Sequence, residues 1–210
     1  MGTGERRTRE RARRKDEIVD TARRLFFAQG YEGTTMGEIA ESLELAKGTV
    51  YLSFPSKEHL AHEIFLRSFD VLIGLVRDAA AAEEGGVGKL RAMAGAYVQY
   101  YREHYEDFFF LQTFEGFLYE NMARGEFGPA FRRRFDEVTA LVRGAIEAGL
   151  ADGSLRKDIR PELSSVTYMF AVDGVMRQLI TRSLLFQELL GFSEEELIEE
   201  LFRILIHSLE

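Results

Sequence analysis

The chain of 210 residues is 46% hydrophobic and 30% charged, an ordinary globular composition with length for one or two domains and a substantial core. It has no cysteine, which excludes disulfides, thiolate metal sites and cysteine nucleophiles and fits a reducing compartment. A net charge of −8 excludes a bulk nucleic-acid coat but not a local basic surface, and no apolar run approaches the roughly 18 residues of a membrane span, so a soluble cytoplasmic protein with no membrane contact is expected.

Charge is unevenly spread: residues 1–60 carry net +1, residues 61–210 net −9, and the first 15 residues alone +5. Arg6, Arg7, Arg9, Arg11, Arg13, Arg14 and Lys15 make a cationic arm with no apolar stretch beside it, unlike a secretory signal. The expected divisions are a basic arm at 1–15, a helix-turn-helix unit at 12–58 and a helical body at 59–210.

No run alternates in the manner of a strand, and the reading is all-α. The first helix is expected over roughly 12–29, with Ile18, Ala22, Leu25 and Phe26 on one stripe and Gly30 as its stop. Thr35-Met36-Gly37-Glu38 reads as a capping box opening a short helix whose inner face is Met36, Ile39, Ala40 and Leu43. A third short helix follows at about 46–52. Ser56 caps a long fourth helix to about residue 82. Helices at about 88–104, 105–123, 129–150, 161–190 and 194–208 complete the chain, with breaks at Gly149, Asp152-Gly153 and Gly191 and a second capping box at Ser193 and Glu196.

Two short helices joined by about three residues cannot stand alone and must pack on a third, which is helix-turn-helix geometry. The second of them buries Val50 and carries Lys47, Gly48, Thr49, Tyr51 and Ser53, a small and polar set suited to a major groove. Lys47 can neutralise a phosphate or reach guanine, and Thr49 can meet a base edge. Gly48 permits close backbone approach, and Tyr51, Ser53 and Lys57 can hold phosphates. Thr35 stands at a helix N-terminus, where backbone N–H groups favour another phosphate.

The stretch Ile18 to Leu60 resembles the TetR family of bacterial transcriptional repressors. The match is carried without a gap by Ile18, Ala22, Leu25, Phe26, Gly30-Tyr31, Thr34-Thr35-Met36, Ile39-Ala40, Lys47-Gly48-Thr49-Val50-Tyr51, Phe54, Ser56-Lys57-Glu58 and Leu60. The resemblance implies an N-terminal three-helix DNA-binding domain, a larger C-terminal helical ligand-binding and dimerisation domain, and a homodimer. It also implies that Thr35, Lys47, Gly48, Thr49, Tyr51, Ser53 and Lys57 line the DNA. This chain departs from the family at three places. Glu44 stands where the family has Gly in the turn, which leaves the left-handed position either absent or shifted by one residue. Ala46 replaces a Ser or Thr cap. Leu52 and Ser53 stand where an aromatic and a His or Tyr are frequent, so Lys47 and Tyr51 are the firmer contacts.

In the body, Tyr97, Tyr100, Tyr101, Tyr105, Phe108, Phe109, Phe110, Phe114, Phe117 and Tyr119 crowd together, followed by Phe127, Phe131 and Phe135. Any one ring is ordinary core. Together so many rigid rings are hard to pack without gaps, and a pocket for an apolar or aromatic ligand is expected. Its candidate lining is Tyr97, Tyr101, Phe110, Phe114, Phe117, Met122, Phe131, Tyr168 and Met176. Polar orientation would come from His104, Glu115, Asp173, Arg177 or Gln178. A carboxylate would suit a cationic ligand and Arg177 a carboxylate, so the ligand's charge stays open. Arg132-Arg133-Arg134 reads as a solvated face.

No catalytic constellation, metal site or cofactor is expected. His59 and His62 lack a flanking ligand set, and no phosphate loop or nucleophile elbow is present. The sequence thus predicts a repressor that binds palindromic operator DNA as a homodimer through its last two helices and is released by a small, hydrophobic inducer. Val166, Phe170, Leu179, Leu184, Leu197, Leu201, Phe202 and Leu205 offer the joining faces. The rival readings are an all-helical apolar-ligand carrier or enzyme with a vestigial DNA-binding domain, and a helical scaffold for protein partners.

Overall fold

The computed structural model describes residues 3–122, 128–185, 188 and 191–210, with the side chains of 3, 115–122 and 180–185 outside the description. Among the described residues there are nine α-helices: α1 Thr3–Gln29, α2 Met36–Ser42, α3 Lys47–Ser53, α4 Lys57–Ala81, α5 Gly86–Glu103, α6 Tyr105–Met122, α7 Gly128–Asp152, α8 Pro161–Leu185 and α9 Glu194–His207. None of them is long and apolar enough to cross a membrane. The last residues expected in α8 lie partly outside the described set. The chain divides into two compact units, residues 1–68 and 69–210, and α4 runs through the boundary.

In the first unit, Ile18, Ala22 and Phe26 of α1, Met36, Ile39 and Ala40 of α2, Val50 of α3 and Leu60, Ile64 and Phe65 of α4 are buried together as its core. Apolar residues at i, i+4 and i+8 on α1 give one stripe, and the two short helices are stable only because they cover it. Arg67 of α4 reaches Asp16 of α1 at 2.8 Å, and Lys15 reaches Glu63 at 3.5 Å.

Helix α1 starts at Thr3, not near residue 12. The basic arm is helical because its residues are good helix formers and because Glu10–Arg14 and Arg13–Glu17 pair one turn apart. The apolar stripe that signalled the helix covers only its packed half.

The turn after α2 holds a second correction. Glu44 itself adopts the left-handed conformation, with φ 54. Its N–H donates to the Glu41 carbonyl at 3.0 Å, and the Leu45 N–H reaches back to the Ala40 carbonyl at 2.9 Å. This pair of bonds is a Schellman closure, whose left-handed residue is usually glycine. The bonds hold the position in place, and the side chain tolerates it at a cost of about 1 kcal/mol. Glu44→Gly is therefore expected to raise stability by about 1 kcal/mol and the melting temperature by a few degrees, read by circular dichroism.

In the second unit, α5 packs on α6, α7 and α9, α7 on α8, and α8 on α9. Gly149 lies within α7 and is not a break; the helix ends at Asp152, and Gly153 (φ 78) takes the turn. The Ser193–Glu196 capping box opens α9 as expected. Arg134 is not a solvated charge: it grips Asp70 through two bonds of 2.6 Å.

Candidate nucleic-acid interface and ligand site

The start of α2 is fixed by the expected box. Thr35 Oγ1 accepts from the Glu38 N–H at 3.2 Å, while the Glu38 carboxylate accepts the Thr35 N–H at 2.7 Å and its hydroxyl at 2.8 Å. The hydroxyl bond, then the backbone bond, hold the Glu38 carboxyl below its ordinary range. The box thus uses Thr35's own donors. The first-turn N–H groups of Met36 and Gly37 are left with no carbonyl one turn back. Lys47 crosses over this point from α3: a Cβ built on Gly37 would meet Lys47 Cε and Nζ at 3.0 Å and Thr35 Oγ1 at 3.6 Å. Bare Gly37 leaves room for the Lys47 side-chain end beside the start of α2. Thr35 and Lys47, both exposed, are brought together there.

On α3, Val50 is fully buried and anchors the helix. Ala46 precedes it without a side-chain cap. Lys47, Gly48, Tyr51 and Leu52 are exposed; Thr49 and Ser53 are half-buried, and the Ser53 hydroxyl donates back to the Thr49 carbonyl at 3.4 Å. Five of the expected contacts, Lys47, Gly48, Thr49, Tyr51 and Ser53, therefore share this one short helix. The family pattern sets Leu52 behind Lys47 and Tyr51 as a contact, whereas the burial of Val50 turns it outward.

Lys57 has a different placement. Its Nζ donates to the carbonyls of Tyr31 (2.8 Å) and Thr34 (3.1 Å) and stands 4.2 Å over the Tyr31 ring. It ties the loop between α1 and α2 to the first turn of α4. Lys57→Met is expected to cost about 1–2 kcal/mol, since two carbonyls and a cation–π contact are lost together. Thermal unfolding would show a fall of several degrees, which a lysine that met only phosphate would not produce.

In the body, Asp173 of α8 gathers three donors. Tyr97 Oη donates to Oδ1 at 2.5 Å, Gln112 Nε2 to Oδ1 at 2.7 Å, and Arg177 to Oδ2 at 3.3 Å. Gln112 Oε1 is buried and has no hydrogen-bond partner among the described residues. Gln112 was missed because one glutamine in an aromatic helix gives no periodic signal. The Tyr101 hydroxyl meets Glu194 at 3.3 Å; burial, then that carboxylate, push it up to about 12. Tyr168 is buried and donates to the Leu90 carbonyl at 2.9 Å. Phe110 and Phe114 stack at 5.0 Å, Phe131 stacks with Phe69 and with Phe135 at 6.0 Å each, and Met176 is fully buried. The side chains of Phe117 and Met122, like that of Glu115, lie outside the described residues.

Of the expected joining residues, Leu179 belongs to the protomer's own core, and the Leu184 side chain lies outside the description. Among the described residues of these helices, the exposed apolar ones are Leu163 (53%) and Phe170 (55%) on α8 and Ile204 (54%) on α9. Half-buried Val166 lies between the first two at helical spacing, and half-buried Leu197 and Leu201 share a face with Ile204.

Residues 18–64 match the family model described as bacterial regulatory proteins, tetR family. The chain is 30% identical over 161 residues to the transcriptional repressor KstR2 of Rhodococcus jostii, covering 72% of each protein. It is 25% identical over 175 residues to the transcriptional repressor AcnR of Corynebacterium jeikeium, covering 81% of this chain and 84% of that one. A solved tetR-family regulatory protein from Rhodococcus RHA1 superposes with a TM-score of 0.68 at 21% identity, over 93% of this chain and 96% of the other.

Proposed function

The chain belongs to the TetR family of bacterial transcriptional regulators, and from that premise we propose a cytoplasmic, non-enzymatic repressor that binds a palindromic operator as a homodimer and is released by a small hydrophobic ligand. The observation that carries the reading is α3: one buried anchor, Val50, and exposed Lys47, Gly48 and Tyr51 with half-buried Thr49 on the flank, the Lys47 ammonium lying at the start of α2. Thr35 and Ser53 flank that face, and Lys57 supports it from the first turn of α4 by holding the α1–α2 loop. Helical Arg6 to Lys15 adds cations that can neutralise flanking phosphates.

One such unit offers too few base contacts, whereas two set about 34–36 Å apart read one face of the duplex. The exposed stripes of α8 and α9 supply the joining surface. Phe170→Glu is expected to turn the dimer into a monomer by light scattering, because it places two charges across a two-fold apolar contact.

The body supplies the ligand site. Tyr97, Tyr101, Phe110, Phe114, Phe131, Tyr168 and Met176 give it apolar surface, with Phe117 and Met122 as further candidates. The unsatisfied Gln112 acceptor supports a ligand that brings a donor. α4 belongs to both units, so a ligand that prefers one packing of its second half biases the spacing of the paired α3 helices. The test is a footprint on DNA from the protein's own upstream region at low salt. A symmetric protected site that weakens steeply with salt is expected; no shifted DNA would overturn the reading.

A further inference from the structure

We propose that Leu52 reads a thymine methyl group in each half-site and so fixes part of the operator sequence. The inference rests on the DNA-binding reading above and adds a base-reading residue to it. Leu52 is 90% exposed, whereas Tyr51 beside it is 49% exposed. An α-helix advances about 100° per residue, which puts Gly48 and Leu52 each about 160° from buried Val50, one on either side of the outermost line of α3. Lys47 and Tyr51 lie on one flank of that line, Thr49 and Ser53 on the other. The centre of the presented face is therefore a glycine and a leucine, not the polar set.

Gly48 adds a second observation. A Cβ at this position would meet no atom within 4 Å, so the chain's own packing has no need of glycine there. Glycine is a poorer helix former than alanine, and α3 is only seven residues long. The bareness of Gly48 serves something that approaches from outside. Where Gly48 lets the helix come in closely, the side chain four residues on projects deepest. Leucine carries no donor or acceptor. The apolar feature that a base pair offers in the major groove is the thymine C5-methyl. Lys47, exposed on the same short helix, supplies the charge that brings this face to a polyanion.

The test begins with selection of duplexes from a random pool by the full-length protein. The enriched duplex is then rebuilt with each thymine in turn replaced by uracil, which lacks only the methyl. One thymine per half-site is expected to lose about fourfold in affinity on this change, and about fifteenfold when both are changed. Leu52→Ala is expected to bind the thymine duplex as weakly as the native protein binds the uracil duplex, and to be indifferent to the exchange. Its melting temperature should be unchanged, since the side chain packs on almost nothing. Enrichment of a duplex with no methyl-sensitive position, or a Leu52→Ala protein as sensitive as the native one, overturns the assignment. Enrichment of no duplex at all overturns the DNA-binding reading itself and this inference with it.

Discussion

Lys47→Ala should abolish most operator binding while leaving the fold intact. The local physics separates the two effects. Lys47 is the first residue of α3, where the helix dipole presents positive charge and a cation is disfavoured by a few tenths of a kcal/mol or more. It is exposed, its stem crosses Gly37, and the buried anchor of the helix is Val50. For the fold alone alanine is the better residue, so the melting temperature should hold or rise slightly. For binding, each subunit loses a charge-assisted contact worth about 1–2 kcal/mol, and a dimer loses two. Affinity near physiological salt should fall on the order of a hundredfold, nearly equally for operator and unrelated duplexes. The slope of log affinity against log salt should shallow by about 2, because two fewer phosphates are neutralised. Fluorescence anisotropy across a salt series checks both. A loss confined to one operator position, with the salt slope unchanged, would assign Lys47 to a base edge.

The sequence made α2 and α3 legible because they are short, capped and patterned around single buried residues: Thr35 with Glu38, and Val50 between outward neighbours. It misplaced the start of α1, since a solvated helix of Arg and Glu carries no apolar stripe and shows itself only through propensity and ion pairs. It left Glu44 undecided, because backbone conformation there is imposed by the Schellman bonds to Ala40 and Glu41 and not by the residue's own preference. Lys57 reads as a phosphate ligand in the linear pattern, yet the carbonyls it meets are those of Tyr31 and Thr34, brought near only by folding. The Asp173 cluster draws on α5, α6 and α8 and so has no local spacing to betray it; the sequence offers Asp173 and Arg177 only as separate polar candidates beside the rings.

Gly86→Ala is expected to be the most damaging single methyl in the body. At the start of α5, a Cβ on Gly86 would lie 2.1 Å from the Gly149 nitrogen, 2.2 Å from its Cα and 2.7 Å from the Ala145 carbonyl. These are backbone atoms of α7, so no side-chain rotation relieves the clash and the two helices must part. Separation also pulls the Gly86 N–H from Asp152, which accepts it at 2.8 Å. Asp152 also accepts the Ser154 N–H at 2.8 Å, so one carboxylate ties the end of α7 to the start of α5. Overpacking of a rigid contact costs about 3 kcal/mol or more, a fall of about 10 °C in melting temperature for a domain of this size. Gly144→Ala is the matched control. It lies in the same α7, its Cβ would meet nothing within 4 Å, and alanine there should add up to about 1 kcal/mol. Scanning calorimetry should therefore find opposite signs for the same added methyl. Equal and small shifts would mean that α5 and α7 do not approach backbone to backbone. A Gly86→Ala protein that keeps DNA affinity at low temperature but loses it on warming would tie the body's packing to the dimer on which two-site recognition depends.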